Sequence, residues 1–358
     1  MWRTTDLTRL LGCDVPIVQA PLGGGPGTAE LTAAVGTAGG FGVVGGGYLD
    51  PDDLADVLAR TRSLTDRPFG VNLFLVPPPQ RTGSDAARAA LSGVAADLGL
   101  DVAVPEEPRG LPDPVAQLEV VLDSDARLVT FAFGAPSRAV TTRLHDAGRL
   151  VGGTAQSATD ARELAGLGVD VVIAQGAEAG GHRGGLPRAA GAGDVPGLLA
   201  LLPAVVDAVD VPVVAAGGIA DGRGVAAALV LGAQAAALGT AFLRTPEAGT
   251  AAAYRRALAG ADETSTVTTS AFSGRAARGL PNAYVRAFDG EAPVEVPDFP
   301  VMNYLSRPLR AASAAAGTAE AQSLWAGQGV GLARELPAAE LVAALVAETE
   351  NALARTCP

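Results

Sequence analysis

The sequence predicts an α/β fold, a TIM (β/α)8 barrel, and three observations predict it. Short apolar runs recur along the first two thirds of the chain, and most are followed by an amphipathic stretch. They read as continuous apolar segments rather than strict alternations, the pattern of strands covered on both faces in a parallel sheet. The length, 358 residues, exceeds what a barrel needs, so a second, smaller and mainly helical subdomain is expected beside it. A doubly wound open sheet is the runner-up.

Eight strands follow in order: 16–21, 41–46, 69–75, 128–133, 150–155, 171–176, 211–218 and 235–243. Helices are expected at 28–38, 50–63, 137–147, 158–167, 196–209 and 221–231. Thr28, Pro51 after Asp50, and Asp221 carry start signals, while Gly148, Gly168 and Gly232 fall where helices should stop. Two regions break the rhythm. Residues 77–113, beginning "PPPQRTGSD" and ending "PEEPRGLPD", read as an enlarged loop with one helix inside it. The segment after Arg244 is the second surplus. The division expected is a barrel over 1–243, a substrate or lid subdomain over 244–320, and C-terminal helices over 321–358, with a final helix at 338–354 returning to the barrel.

Composition excludes several functions. The net charge of -12 argues against a nucleic-acid partner, which needs a basic face. No apolar run is long enough to cross a membrane without Gly, Pro or charge breaking it, and the N-terminus lacks the apolar core of a signal peptide. The two cysteines, Cys13 and Cys357, lie near opposite ends, so a reducing cytoplasm fits best. All 26 basic residues are arginine, which removes lysine Schiff-base chemistry and the Walker P-loop. Two histidines and two cysteines leave too few ligands for a zinc site, and no metal is expected.

In such a barrel, ligands bind at the C-terminal ends of the strands. Those ends carry Gln19, Ala20 and Pro21, then Gly45 to Gly47, Asn72, Gln175 with Gly176, Gly217 with Gly218, and Gly239 with Thr240. The rim is neutral and rich in glycine and amides, which lets a ligand approach backbone N–H groups. "AAGGIADGRG" after strand seven and "ALGTAF" in strand eight carry a phosphate signal that needs no lysine. "GFGVVG", with Gly40, Gly42 and Gly45, matches a dinucleotide fingerprint, but its glycines sit within a strand instead of opening a helix, so the match is set aside. His182 lies in "QGAEAGGHRGG", at the barrel mouth after strand six, in a loop with room for a ligand. Its neutral imidazole could act as a base, or its cation could hold an anionic substrate. His145 reads as a surface residue. Arg275 and Arg278, in "SGRAARG", are weaker candidates for orienting an anion.

Together these stretches resemble the nitronate monooxygenase family, formerly the 2-nitropropane dioxygenases. "IVQAPLGGG", "AGGFGVVGGG", "DRPFGVNLF", "AQGAEAGGHRG", "VPVVAAGGIADGRGVAAALVLGA" and "LGTAFL" resemble its successive motifs, and "FSGRAARGLPN" and "SLWAGQGVGLARELPAAELV" resemble its C-terminal third. The resemblance implies a barrel carrying non-covalent FMN, with no nicotinamide requirement. Asn72, Gln175, Gly180, Gly217, Gly218, Gly239 and Thr240 would contact FMN, with Gln19, Ala20, Pro21, Gly181 and Leu238 completing the cofactor-binding set. His182 would be the catalytic residue. The implied reaction is oxidation of alkyl nitronates such as propionate 3-nitronate, by electron transfer to the flavin and then to O2, giving a carbonyl compound and nitrite or nitrate. Two rivals remain: an NADH:quinone or enoyl-thioester reductase on the same scaffold, and a flavin-binding protein without catalysis.

Overall fold

The computed structural model describes residues 2–106, 110–187 and 194–356. Cys357 and part of the "PEEPRGLPD" loop lie outside them. The eight expected barrel strands are present: β1 (Ile17–Gln19), β2 (Phe41–Gly45), β3 (Gly70–Phe74), β4 (Leu128–Ala132), β5 (Leu150–Ala155), β6 (Val171–Gln175), β8 (Val213–Ala216) and β9 (Ala235–Leu238). All pair in parallel, and β1 closes the barrel on β9 through Ile17 opposite Ala236. The remaining strands, β7 (Gly181–His182), β10 (Val267–Thr269) and β11 (Ala277–Gly279), form a small antiparallel sheet outside it.

Most strands end earlier than expected, and the seventh and eighth show a local cause. The seventh barrel strand stops at Ala216 because Gly217 and Gly218 take positive φ and turn the chain over the mouth. The eighth stops at Leu238, and Thr240–Phe242 form one turn of 3₁₀ helix, not a continuing strand.

The eight barrel helices follow the strands in turn, at Ala29–Thr37, Pro51–Leu64, Pro114–Leu122, Arg138–Asp146, Ala158–Gly166, Leu198–Val206, Gly222–Val230 and Ala338–Thr356, with further helices inserted after β3 and β9. Local chemistry starts them: the Thr28 hydroxyl accepts from Leu31 N–H, Ser157 caps the fifth, and Asp221 accepts from the N–H groups of Arg223 and Gly224. The helix at Pro114–Leu122 was not among those expected from the sequence. It begins where the enlarged loop ends, with the Asp113 carboxylate accepting from Val115 N–H. The final helix packs against both the Gly222–Val230 and Ala29–Thr37 helices. It therefore occupies the eighth helical position of the barrel. Everything from Gly239 to the start of that helix is an insertion at the mouth.

A short helix unforeseen in the sequence, Asp6–Leu11, closes the opposite end. Leu7 and Leu11 pack there against Phe41, Val43, Leu128, Val171 and Val214. Burying one leucine stabilises by about 1.5–3 kcal/mol, so this plug makes a real contribution. Between strands and helices lies the main core, with Ile17, Leu73, Phe131, Val172 and Leu238 all buried. A second core sits over the mouth. It joins Leu91 and Val94, from the Asp85–Asp97 helix of the enlarged loop, to Phe272, Tyr284, Phe288, Met302 and Leu309. The two surplus regions of the sequence are thus one packing unit in space, with helices at Ala283–Asp289 and Val301–Ala315.

Candidate functional site

A cavity of about 850 Å³ opens at the C-terminal mouth of the barrel, roofed by the insertion. Strand pleating decides which side chains reach it, since alternate residues of a strand face inward. From the expected set, Ala20, Pro21, Asn72, Gln175, Gly180, Gly181, His182, Gly217, Gly218, Gly239 and Thr240 all line this one space. Gln19 and Leu238 do not. Their pleat turns them toward the helices, where both are fully buried. The Gln19 amide is spent on the neighbouring strand, its Oε1 accepting from Val43 N–H at 3.2 Å and its Nε2 donating to Val43 O at 3.3 Å.

One side of the cavity is made of backbone. Among the described residues, the N–H groups of Gly218, Gly239 and Thr240 make no hydrogen bond to protein. A Cβ placed on Gly239 would meet nothing closer than 3.6 Å, so this position faces open space. The segment through Gly327 closes over this side, its N–H donating to Thr240 Oγ1 at 2.9 Å, and it passes so near Gly180 that a Cβ there would lie 2.5 Å from Gly327 N. Orphan N–H groups beside the start of a helical turn form an anion site. This is the size and chemistry of a phosphate cradle, so the residues present fit the phosphate of a flavin mononucleotide.

Another part of the lining is made of side chains. Here the glycine-rich loop does form a strand: Gly181 and His182 pair antiparallel with Arg278 and Ala277. Gln175 ties the loop down. Its Nε2 donates to His182 O at 3.0 Å, and its Oε1 accepts from Gly184 N–H and Gln156 Nε2, each at 2.8 Å. The imidazole sits among Phe133, Phe299 and Trp325, with ring centroids 5.6, 5.7 and 5.2 Å away. Its Nε2 lies 2.8 Å from Ser273 Oγ. Burial, then the Arg275 and Arg310 cations, push its pKa down to about 3. At neutral pH His182 is therefore uncharged. Phe133 adopts φ +74, a conformation that costs a bulky residue about 1–3 kcal/mol. It is held by Phe133 N–H donating to Gly184 O at 2.8 Å.

Arg275 and Arg278 do not line the cavity. Arg275 donates to the carbonyls of Arg183 and Gly185 and lies 4.4 Å over the Phe133 ring. Arg278 donates to Ala177 O and to Thr266. Both secure the His182 loop, because a guanidinium fork can bridge carbonyls of two segments. The arginines on the wall are Arg307 and Arg310, one helical turn apart on the Val301–Ala315 helix. Arg310 is fixed by Ser306 Oγ at 3.1 Å and Asn303 Oδ1 at 3.0 Å, while its Nη1 has no protein acceptor among the described residues. The sequence reading missed this pair. The signal available was the i, i+3 spacing of two arginines in "VMNYLSRPLR", which puts them on one helix face.

Comparison with known proteins agrees with this architecture. The family model described as nitronate monooxygenase matches residues 4–348. A probable nitronate monooxygenase from Staphylococcus aureus strain MSSA476 is 36% identical over 351 residues, covering 97% of each chain. A solved structure of a nitroalkane oxidase from Streptomyces ansochromogenes superposes with a TM-score of 0.90 at 44% identity, covering 98% of this chain and 100% of that one. FabK from Thermotoga maritima superposes at 0.76 with 29% identity, covering 99% and 98%. With the barrel, the mouth cavity and the family match extending over nearly its whole length, the chain belongs to the nitronate monooxygenase family and is a flavin-dependent oxidoreductase.

Proposed function

We propose that this protein binds FMN and oxidises alkyl nitronates, and the nitroalkanes from which they form, with O2. The observation that carries the reading is the cavity itself, which joins an N–H cradle at the ends of β8 and β9 to an uncharged imidazole and a free guanidinium edge. A single cradle favours a mononucleotide, and Gly42 and Gly45 of the set-aside fingerprint lie within β2 and open no helix. Bound there, the flavin would take electrons from the substrate and deliver them to O2.

The protein's own groups divide the work. Gly218, Gly239 and Thr240 would hold the phosphate through their N–H groups. Arg310, with Arg307 at the mouth, would hold the anionic oxygens of a nitronate or a substrate carboxylate by charge-assisted hydrogen bonds. His182 does not serve as the anion-holding cation in this reading, because two arginine cations and burial keep it neutral. It would instead accept the α-proton of a neutral nitroalkane, with Phe133, Phe299 and Trp325 packed around the ring. A nitronate has already lost that proton and would bypass the step.

Purified protein should be yellow, and heat release should yield FMN on chromatography. Mixed anaerobically with propionate 3-nitronate, its flavin should bleach, whereas NADH should leave it oxidised. Rapid bleaching by NADH alone would instead favour the reductase reading.

A further inference from the structure

We propose that Ser273 is a positioning residue that sets the tautomer of His182, keeping the ring proton on Nε2 and the lone pair on Nδ1. The inference rests on His182 being the group that meets the substrate, as read above.

Ser273 Oγ lies 2.8 Å from His182 Nε2 and 3.1 Å from Arg275 O. A hydroxyl has one proton to give, a carbonyl can only accept, and a neutral imidazole nitrogen can do either. One arrangement satisfies all three groups: Ser273 donates to Arg275 O and accepts from Nε2–H. The reverse assignment sends the hydroxyl proton to the ring and leaves the carbonyl facing an oxygen lone pair. Water cannot relieve that conflict easily, because Ser273 is only 1% exposed. Among the described residues Ser273 is the sole protein donor to Arg275 O.

The backbone holds both partners in place. The N–H groups of Ser273 and Gly274 donate to Ser270 O at 3.2 and 2.8 Å. Gly274 takes φ +80 so close to the 297–299 segment that a Cβ would lie 2.0 Å from Pro297 O. His182 is pinned by its pairing with Ala277, four residues beyond Ser273. With Nε2 committed, Nδ1 is the ring's remaining acceptor. The step it supports is balanced within the substrate and the ring: the α C–H bond breaks, the proton joins Nδ1, and the electron pair moves into the nitro group. A ring presenting Nδ1–H would have no lone pair for that proton.

The chain has two histidines, so protein labelled with 15N-histidine gives two pairs of imidazole signals, one Nδ1 and one Nε2 from each ring, and His145→Gln identifies the other pair. We expect His182 in the unmodified protein to show the Nε2-protonated tautomer. Ser273→Ala should show mixed tautomers, and Ser273→Thr, which keeps the hydroxyl, should restore one. Turnover of a neutral nitroalkane should fall at least about tenfold in Ser273→Ala, short of the roughly 10²–10⁴-fold expected for removing the base in His182→Gln. An Nδ1-protonated ring in the unmodified protein, or an unchanged tautomer in Ser273→Ala, overturns the proposal. Undiminished turnover in His182→Gln would instead sink the functional reading, and the tautomer spectra would still decide the role of Ser273.

Discussion

The two sides of the cavity are built from different atoms and from different distances along the chain. The glycine side uses backbone N–H groups at the ends of two adjacent strands, β8 and β9, and needs little beyond small residues to keep it open. The imidazole side uses side chains from β7, the Ser273 turn and the Val301–Ala315 helix, which span more than a hundred residues. A backbone site is set by where strands end. A side-chain site needs every supporting segment packed, because each partner is positioned by another partner. Damage should therefore be local and complete on the first side, and graded on the second.

The largest expected effect is on the glycine side. Gly239→Asp should abolish flavin retention while circular dichroism shows an intact barrel. The φ there is -105, and a Cβ has room, so the change brings a carboxylate to the phosphate without straining the chain. Full flavin occupancy in this variant would move the cradle elsewhere. On the imidazole side, Arg310→Gln should keep the flavin but weaken anionic substrates by about 10–100-fold, the worth of one hydrogen bond to a charged group. Flavin-reduction titrations under anaerobic conditions would measure this, and unchanged affinity would leave Arg307 as the anion's partner.

The neutral imidazole bears on stability instead of binding. The folded protein holds His182 near 3, whereas its ordinary value is 6.5. As pH falls below about 6.5 the unfolded chain takes up a proton that the folded one refuses. Folding should then lose about 1.4 kcal/mol per pH unit until pH reaches about 3. His182→Gln should lack this component, so the difference between the two denaturation curves across pH isolates it. A constant difference would mean the ring titrates normally. The smallest effect on binding is expected at Arg278. Since Arg278 bonds Ala177 O and Thr266 away from the cavity, Arg278→Gln should lower thermal stability and leave substrate affinity where it was. A loss of affinity equal to that in Arg310→Gln would erase the contrast between the two arginine pairs.

Sequence and structure agree most closely where the physics is local. Eight apolar runs, their caps and their terminating glycines were legible because strand burial, hydroxyl caps and positive φ each leave a mark within a few residues. The same holds for Gly217, Gly218, Gly239 and Thr240, since a barrel strand's end is also the end of its apolar run. Gln19 and Leu238 were misplaced by a finer feature, the pleat, which alternates residue by residue between cavity and core.

What the sequence determined alone is a barrel with a glycine-lined mouth and one histidine in it, because those properties depend on neighbours along the chain. Tertiary structure decided the charge of that histidine and which arginines line the cavity. Burial, Arg275, Arg310 and Ser273 act on His182 through space, from positions 91 to 128 residues away in sequence. Electrostatic and hydrogen-bond effects fall off over ångströms, not residues, so the i, i+3 spacing of Arg307 and Arg310 could put them on one helix face but could not say that this face meets the cavity while Arg275 and Arg278 are spent on carbonyls.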